Sequence, residues 1–224
     1  MDRSKESLRL KIVLSTIILN IVAVICFTQI PWSSWLTGVY LNLLDNVILI
    51  GYTILYRDRL MKHLIVFGLI TGFVELAADA WLVDVTHTLD YSIGGGPMIW
   101  RSPLWMPMAW EVVAVQFGYL GIRLMDSLKG MGLFLVGLLG ALNIPFYEEM
   151  ARLTKWWIYR SCKMFLHTPY YIILGEFLIV IIFASLARRL KRLHWLTTIL
   201  SGIIAGLGIF LSYALAYKIF EKSM

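Results

Sequence analysis

Seven of the 14 carboxylates in this 224-residue chain fall inside apolar stretches or at their ends: Asp45, Glu75, Asp79, Glu111, Glu148, Glu149 and Glu176. An ionisable side chain in a membrane core costs at least about 2.5 kcal/mol and normally faces the interior of a helical bundle or a wet cavity. Sorted by depth, the seven gather in one half of the membrane. At about 1.5 Å of rise per residue, Glu111 and Glu176 sit roughly 10 Å below one end of their helices. Glu75 is similarly deep, Asp79 shallower, Asp45 nearer the midplane, and Glu148 and Glu149 are at the rim. Glu75 and Asp79, four residues apart, share a helix face. Carboxyls crowded together away from water can keep a proton near neutral pH, and such a group is a general acid. The expected chemistry is therefore proton transfer. Glu111 or Glu176 would protonate an alkene or epoxide, and Asp79, Glu75 or Glu149 would act as the partner base or stabilise developing positive charge. Interhelical hydrogen bonding is the plainer role open to Glu111 and Glu176, and Asp45, beside Asn42 and Asn46, reads as part of a buried polar network.

The residues around these acids describe a pocket. Pro107 lies four residues before Glu111, Pro145 four before Glu149, and Pro169 seven before Glu176. Proline near a helix end frees backbone carbonyls that can line a polar cavity. Expected walls are Trp100, Trp105, Trp110, Met106, Met108, Tyr147 and Tyr170, with Tyr91, His87 and His167 at the mouth. Aromatic faces stabilise a carbocation and equally hold any apolar ligand. This chemistry needs no cofactor. A divalent metal site could be drawn from Asp79, Asp84, His87, Glu149, His167 and Glu176, whose oxygen and imidazole donors suit iron, manganese or zinc. There is, however, no Glu-x2-His or His-Glu-x2-His spacing, no nucleophile elbow and no phosphate-binding loop. Cys26 and Cys162 are too far apart in sequence to suggest a disulfide framework and read as free thiols.

Positioning these side chains falls to membrane helices. Hydrophobic residues make up 59% of the chain and charged ones 15%, against about 25% charged in soluble domains. The fold expected is all-α, a single polytopic membrane domain over residues 1–224. Seven segments are long enough to span at roughly 20 apolar residues each: 8–28, 35–56, 63–83, 104–124, 129–147, 169–187 and 195–217. The basic start followed by an apolar run outlines a signal peptide, but Cys26-Phe27-Thr28-Gln29 offers no small-residue cleavage site, so this reads as a retained first span. With the N-terminus cytoplasmic, 13 Lys and Arg lie inside and 7 outside, as the positive-inside rule prefers. That excess also accounts for the net charge of +6 without a nucleic-acid partner. Two outer connections stand out. Residues 84–103 contain Gly94-Gly95-Gly96-Pro97 and suggest a lid. Residues 150–168 alternate basic and aromatic residues, as an amphipathic interfacial helix does. Gly202-x3-Gly206 suits close helix packing.

At Ala109-Trp110-Glu111-Val112-Val113 the sequence resembles the small integral membrane terpene cyclases of meroterpenoid and indole-diterpene pathways, which are seven-span proteins with a Trp-Glu acid motif. Those carry a further acid in a late span. The last span here has none, and Glu176 would substitute. Pro145 to Glu149 is similar to the Pro-x-Glu-Glu block of membrane lycopene cyclases, with one extra residue after the proline. Both resemblances imply cyclisation of an isoprenoid by protonation. The expectation is thus a membrane enzyme acting on an isoprenoid or other lipid as a cyclase, hydratase, isomerase or lyase. It would sit in a bacterial inner membrane with its site toward the periplasm. A proton- or cation-coupled transporter and a metal-dependent lipid oxidase or desaturase are the alternatives.

Overall fold

A computed structural model describes residues 3–221, together with all their side chains except that of Arg3. Asp2 and Lys222, counted above, lie outside the described residues. Seven helices run in order: α1 (Arg3–Thr28), α2 (Trp35–Leu55), α3 (Arg59–Asp84), α4 (Met106–Leu128), α5 (Gly130–Leu153), α6 (Tyr170–Arg189) and α7 (Trp195–Glu221). All but α4 are long and apolar enough to cross a membrane. They turn residues such as Ile18, Val47, Leu142 and Leu211 outward, where an aqueous protein would carry charge. The chain is an all-α, multi-pass membrane bundle. Helix α4 carries Glu111, Gln116, Arg123 and Asp126 and is packed against α1, α2, α3, α5 and α6, so its neighbours rather than lipid surround it.

Close helix approach explains the arrangement of the core. A Cβ on Gly68 of α3 would lie 2.9 Å from the Cα of Glu111, and one on Gly72 would lie 2.8 Å from the Cα of Pro107. Backbone therefore packs on backbone along α3 and α4. On the other side of α3, Gly202 and Gly206 of α7 meet the carbonyls of Phe67 and Thr71, the contact their spacing foretold. Local signals set the helix starts. Asp58 caps α3 by accepting from the Met61 N–H at 3.0 Å, Pro107 occupies the first turn of α4, and Pro169 precedes α6. Pro145 lies inside α5, where it cannot donate to the carbonyl of Ala141.

The two long connections meet over one end of the bundle and form a cap. Leu89–Asp90 (β1) pairs antiparallel with Ile158–Tyr159 (β4), and the Arg160 N–H donates to the Thr88 carbonyl at 2.8 Å. Met98–Ile99 (β2) folds onto Ser102–Pro103 (β3), and Met164–Phe165 (β5) onto Thr168–Pro169 (β6). Gly96, at φ +86°, passes directly over the Trp35 ring, in space that a Cβ would fill. The interfacial helix expected at 150–168 does not form. Its first residues complete α5, and the remainder is loop and short strand. Pairing with the 85–105 loop takes up part of its backbone at Ile158–Arg160, and Trp156 turns into the bundle, donating from its indole N–H to the Thr37 hydroxyl at 2.9 Å.

At the opposite end Asp58 is held by Arg9 at 2.8 and 3.0 Å and by the Tyr52 hydroxyl at 2.7 Å. Burial opposes its ionisation, but the Met61 N–H, Tyr52 and Arg9 together outweigh that and hold its carboxyl below the ordinary aspartate value of 3.8. A carboxyl lowered on folding contributes stability above its ordinary value and loses it as pH falls through the lowered one. Asp58→Asn is expected to lower the melting temperature in detergent at neutral pH, with the gap to wild type closing as pH drops below 3.8. A gap constant with pH would show that the carboxylate charge contributes nothing. The glycine contacts give a second expectation. Gly68→Val overpacks the α3–α4 contact and is expected to cost about 1–3 kcal/mol or more, read as a fall in melting temperature. Gly51→Ala, with nothing within 4 Å of the new methyl, serves as the neutral reference.

Candidate functional site

Beneath the cap, four carboxyls from three helices converge. Asp79 of α3 accepts from the hydroxyls of Tyr91 at 2.6 Å and Ser102 at 2.7 Å, both from the cap loop. One turn earlier Glu75 is fully buried with neither oxygen hydrogen-bonded, adjacent to Asp79 and the Trp110 indole. Glu148 of α5 accepts from the Trp157 indole N–H at 2.6 Å and from the Tyr159 hydroxyl at 3.4 Å. Glu176 of α6 accepts from the Tyr213 hydroxyl of α7 at 2.6 Å. The four are close enough to sense one another: the charges of Glu176 and Asp79 are each felt at Glu75 and at Glu148. Among the described residues none of the four forms an ion pair. Every hydrogen bond they accept comes from a neutral donor. In the cap, burial holds the Tyr91 and Tyr159 phenols well above their ordinary range, and the neighbouring carboxyls push the same way, Asp79 and Glu75 on Tyr91 and Glu148 on Tyr159. Both stay protonated and able to donate.

A cavity of about 300 Å3 extends from this cluster. Asp79, Glu148, Glu176, Tyr91, Tyr159 and Tyr213 line it near the cap, and it follows α4 from Met106 to Leu120, a rise of about 21 Å. Trp105, Trp156 and Trp157 stand in mutual contact at the cap end, with ring centroids 5.5 to 6.2 Å apart. Further along, the wall is Leu41, Val113, Phe117, Leu139 and Ile144, interrupted by the amides of Asn20, Asn42, Gln116 and Asn143.

The expected site residues divide into two groups. Asp79 and Glu176 face the cavity, Glu75 joins the carboxyl cluster, and Trp105, Trp110, Tyr91 and Tyr147 are in the wall. The others lie elsewhere. Glu111 is buried with one oxygen unpartnered but does not line the cavity. Helix α4 turns Met106, Ala109, Trp110, Val113 and Gln116 toward that space, and at Glu111 its backbone lies against α3 at Gly68. Met108 packs in the core without reaching the cavity. Glu149 points outward, bonded to Arg152 at 2.5 Å and to His167 at 2.6 Å. His167 and His87 are exposed, and the His87 ring lies 3.1 Å from the Val83 carbonyl. Tyr170 is stacked on Phe220, and Trp100 is exposed. Asp84 is exposed and pairs with Arg101 at 2.8 Å. The six residues drawn together as a metal set are therefore dispersed, and among the described residues no three His, Cys, Asp or Glu side chains are grouped to hold a metal ion. Asp45 does not join its neighbours either. Asn42 and Asn46 donate back to carbonyls of their own helix, and both Asp45 oxygens stay unpartnered, beside Asn20 of α1.

Sequence reasoning missed Glu148, Trp157, Tyr159 and Tyr213 as members of the site. For Glu148 a signal existed: it shares a helical face with Ile144 and Ala151, whereas Glu149 stands three residues before Arg152 and is drawn outward by it. Tyr213 had none, since its placement depends on Gly175 of α6, which leaves room for its ring.

A family model described as Domain of unknown function (DUF6989) matches residues 76–220. No curated protein matches, and no solved structure does.

The hydroxyls of Tyr91 and Ser102 latch the cap to Asp79. An ordinary hydrogen bond is worth about 0.5–1.5 kcal/mol net. The double variant Tyr91→Phe with Ser102→Ala loses two and is expected to raise proteolytic nicking within residues 85–105 roughly 5- to 150-fold. Cleavage at the wild-type rate would mean that the strand pairing alone holds the cap.

Proposed function

The chain belongs to the DUF6989 family, and we propose that it is a membrane enzyme transferring protons to and from a long apolar substrate, an isoprenoid or another lipid. One observation carries this reading: a long, mostly apolar cavity ends against buried carboxyls that have only neutral hydrogen-bond donors. The apolar chain lies along α4, and its reacting end meets Glu148, Glu176 and Asp79. Carboxyls packed together without a cation share protons rather than each carrying a negative charge. One of them delivers a proton to an alkene or epoxide, and a neighbouring carboxylate removes one from the resulting cation. Faces of Trp105, Trp157 and Tyr159 stabilise the positive charge between those steps. The protons balance, so cyclisation or isomerisation proceeds by this route without a redox partner. Of the three acids that border the cavity, Asp79 is committed to the cap hydroxyls of Tyr91 and Ser102, which leaves Glu176 and Glu148 as the acid–base pair, with Glu75 set back behind Asp79. The Lys and Arg distribution supports a cytoplasmic N-terminus, which puts the cap and the acids on the far side of the membrane, periplasmic in a bacterial inner membrane.

Transport is a second reading, favoured by Asp45. This unpartnered carboxyl lies halfway along α2, beside Asn20 and three residues after Asn42, so that ionisable and polar groups continue beyond the acid cluster. Proton uptake by liposomes containing the purified chain separates the two readings, since an enzyme with one-sided access moves none across the bilayer.

For the enzyme, the measurement is the lipid profile of cells expressing the chain. A new or depleted polyprenyl lipid is expected relative to an empty vector. Proton transfer by a positioned side chain contributes about 100- to 10,000-fold, so Glu148→Gln and Glu176→Gln are each expected to reduce that change at least about 100-fold. Glu149→Gln, outside the cavity, is expected to stay within a few-fold of wild type. If the Glu148 and Glu176 variants, present at wild-type abundance, left the lipid change intact, the proposal would fall.

A further inference from the structure

A second cavity lies at the end opposite the cap, in a groove of about 510 Å3 between α2 and α3. Its wall is Ile50, Ile54, Ile65 and Val66 with Thr53 among them, and its rim is Arg57, Arg59 and Lys62 around Asp58. All three basic side chains are exposed. They are crowded by a three-residue turn between the helices, in which Arg57 adopts a left-handed conformation at φ +49°. Asp58 is the acid closest to them in sequence, and it is already committed to Arg9, Tyr52 and the Met61 N–H. The other described acids of this end are also engaged, Glu6 by Arg123 and Asp126 by Arg188 and Lys191. No carboxylate among the described residues pairs with Arg57, Arg59 or Lys62. Lys62 is instead supported from one side by the Trp195 ring, 5.3 Å from its ammonium.

We propose that this groove binds one anionic phospholipid, its phosphate between Arg57, Arg59 and Lys62 and an acyl chain along Ile50, Ile54, Ile65 and Val66. Two features favour a lipid over a free phosphate. The wall below the cations is aliphatic but for Thr53, whose hydroxyl donates back to the Leu49 carbonyl at 2.7 Å, and it rises along two helices into the apolar part of the bundle. It is also open sideways, with Ile50 and Ile54 substantially exposed, so a lipid already in the bilayer enters without crossing water. Basic side chains at a membrane surface attract anionic headgroups within a Debye length. Here the turn between α2 and α3 concentrates three of them above an acyl-sized slot, which adds a shape requirement to a general attraction.

Native mass spectrometry of the full chain in detergent tests this, with phosphatidylglycerol and phosphatidylcholine of identical acyl chains as probes. One phosphatidylglycerol is expected to bind in preference to phosphatidylcholine by at least about tenfold, a modest return from three basic side chains. The triple variant Arg57→Gln, Arg59→Gln, Lys62→Gln is expected to lose the preference. A second triple, Lys129→Gln, Arg189→Gln, Arg192→Gln, removes equal charge from the same end and is expected to keep it. Ile54→Trp fills the slot with the cations intact and is expected to weaken binding of the whole lipid. The proposal is overturned if the first triple binds like wild type, if both triples lose the preference equally, if phosphatidylcholine binds as tightly, or if millimolar inorganic phosphate displaces the lipid.

Discussion

Between lipid-soluble helices there is no water to expel, so the tightness of packing itself must hold them together. In this bundle that tightness is greatest where α3 and α4 touch. Gly68 and Gly72 let the α4 backbone rest on α3 at Glu111 and Pro107, and this contact fixes the rotation of both helices. Once α4 is seated, Trp110 lies beside Glu75, and the stripe from Met106 to Leu120 faces the cavity. Helix α7 repeats the arrangement on the opposite face of α3 through Gly202 and Gly206, and thereby brings Tyr213 to Glu176. The acid cluster thus depends on contacts between residues that have no chemistry of their own.

The cluster is costly to build. Buried carboxyls without cations lose hydration and recover little from one another, and three buried acids, Asp45, Glu75 and Glu111, keep at least one oxygen without a hydrogen bond. Hydroxyl and indole donors from the cap and from α7 recover part of that cost for Asp79, Glu148 and Glu176. The cap is therefore more than a cover. Its Tyr91, Ser102, Trp157 and Tyr159 are hydrogen-bond donors to the site alongside Tyr213 of α7, and these four cap residues are delivered by two loops that meet in a two-residue ladder. Charge is managed differently at the other end, where acids and bases pair directly: Arg9 with Asp58, Arg123 with Glu6, and Lys191 with Asp126. The bundle is thus electrically asymmetric, with a carboxyl cluster lacking cations beneath the cap and surplus cations opposite.

Neighbouring residues show where local pattern ceases to inform. Glu148 and Glu149 have the same side chain and the same depth, yet one ends in the cavity and the other at the surface with Arg152 and His167. Successive residues on a helix point about 100° apart, so a small rotation of α5 decides between them. Glu111 makes the same point from the opposite direction. Its depth was readable, but its direction followed from Gly68 on another helix. The segment 150–168 misled for a related reason. Its alternation of basic and aromatic residues fits an interfacial helix, and only pairing with a loop 70 residues earlier in the chain shows why it does not become one.

What the sequence by itself determined is what accumulates residue by residue: the apolar runs that become helices, their approximate ends, the depth of each acid, and the two long connections at one end. Transfer from water to lipid is close to additive along a chain, so a linear reading suffices for these. Only the tertiary structure decided which acids meet, which face the cavity and which are isolated, because helix rotation is set by contacts between pairs of helices and no single segment encodes its partner. The same holds for the cap, whose tyrosines and tryptophan reach the acids through strand pairing between loops. It also holds for the groove at Arg57, Arg59 and Lys62, where the spacing of the charges was plain but the slot beneath them exists only between two packed helices.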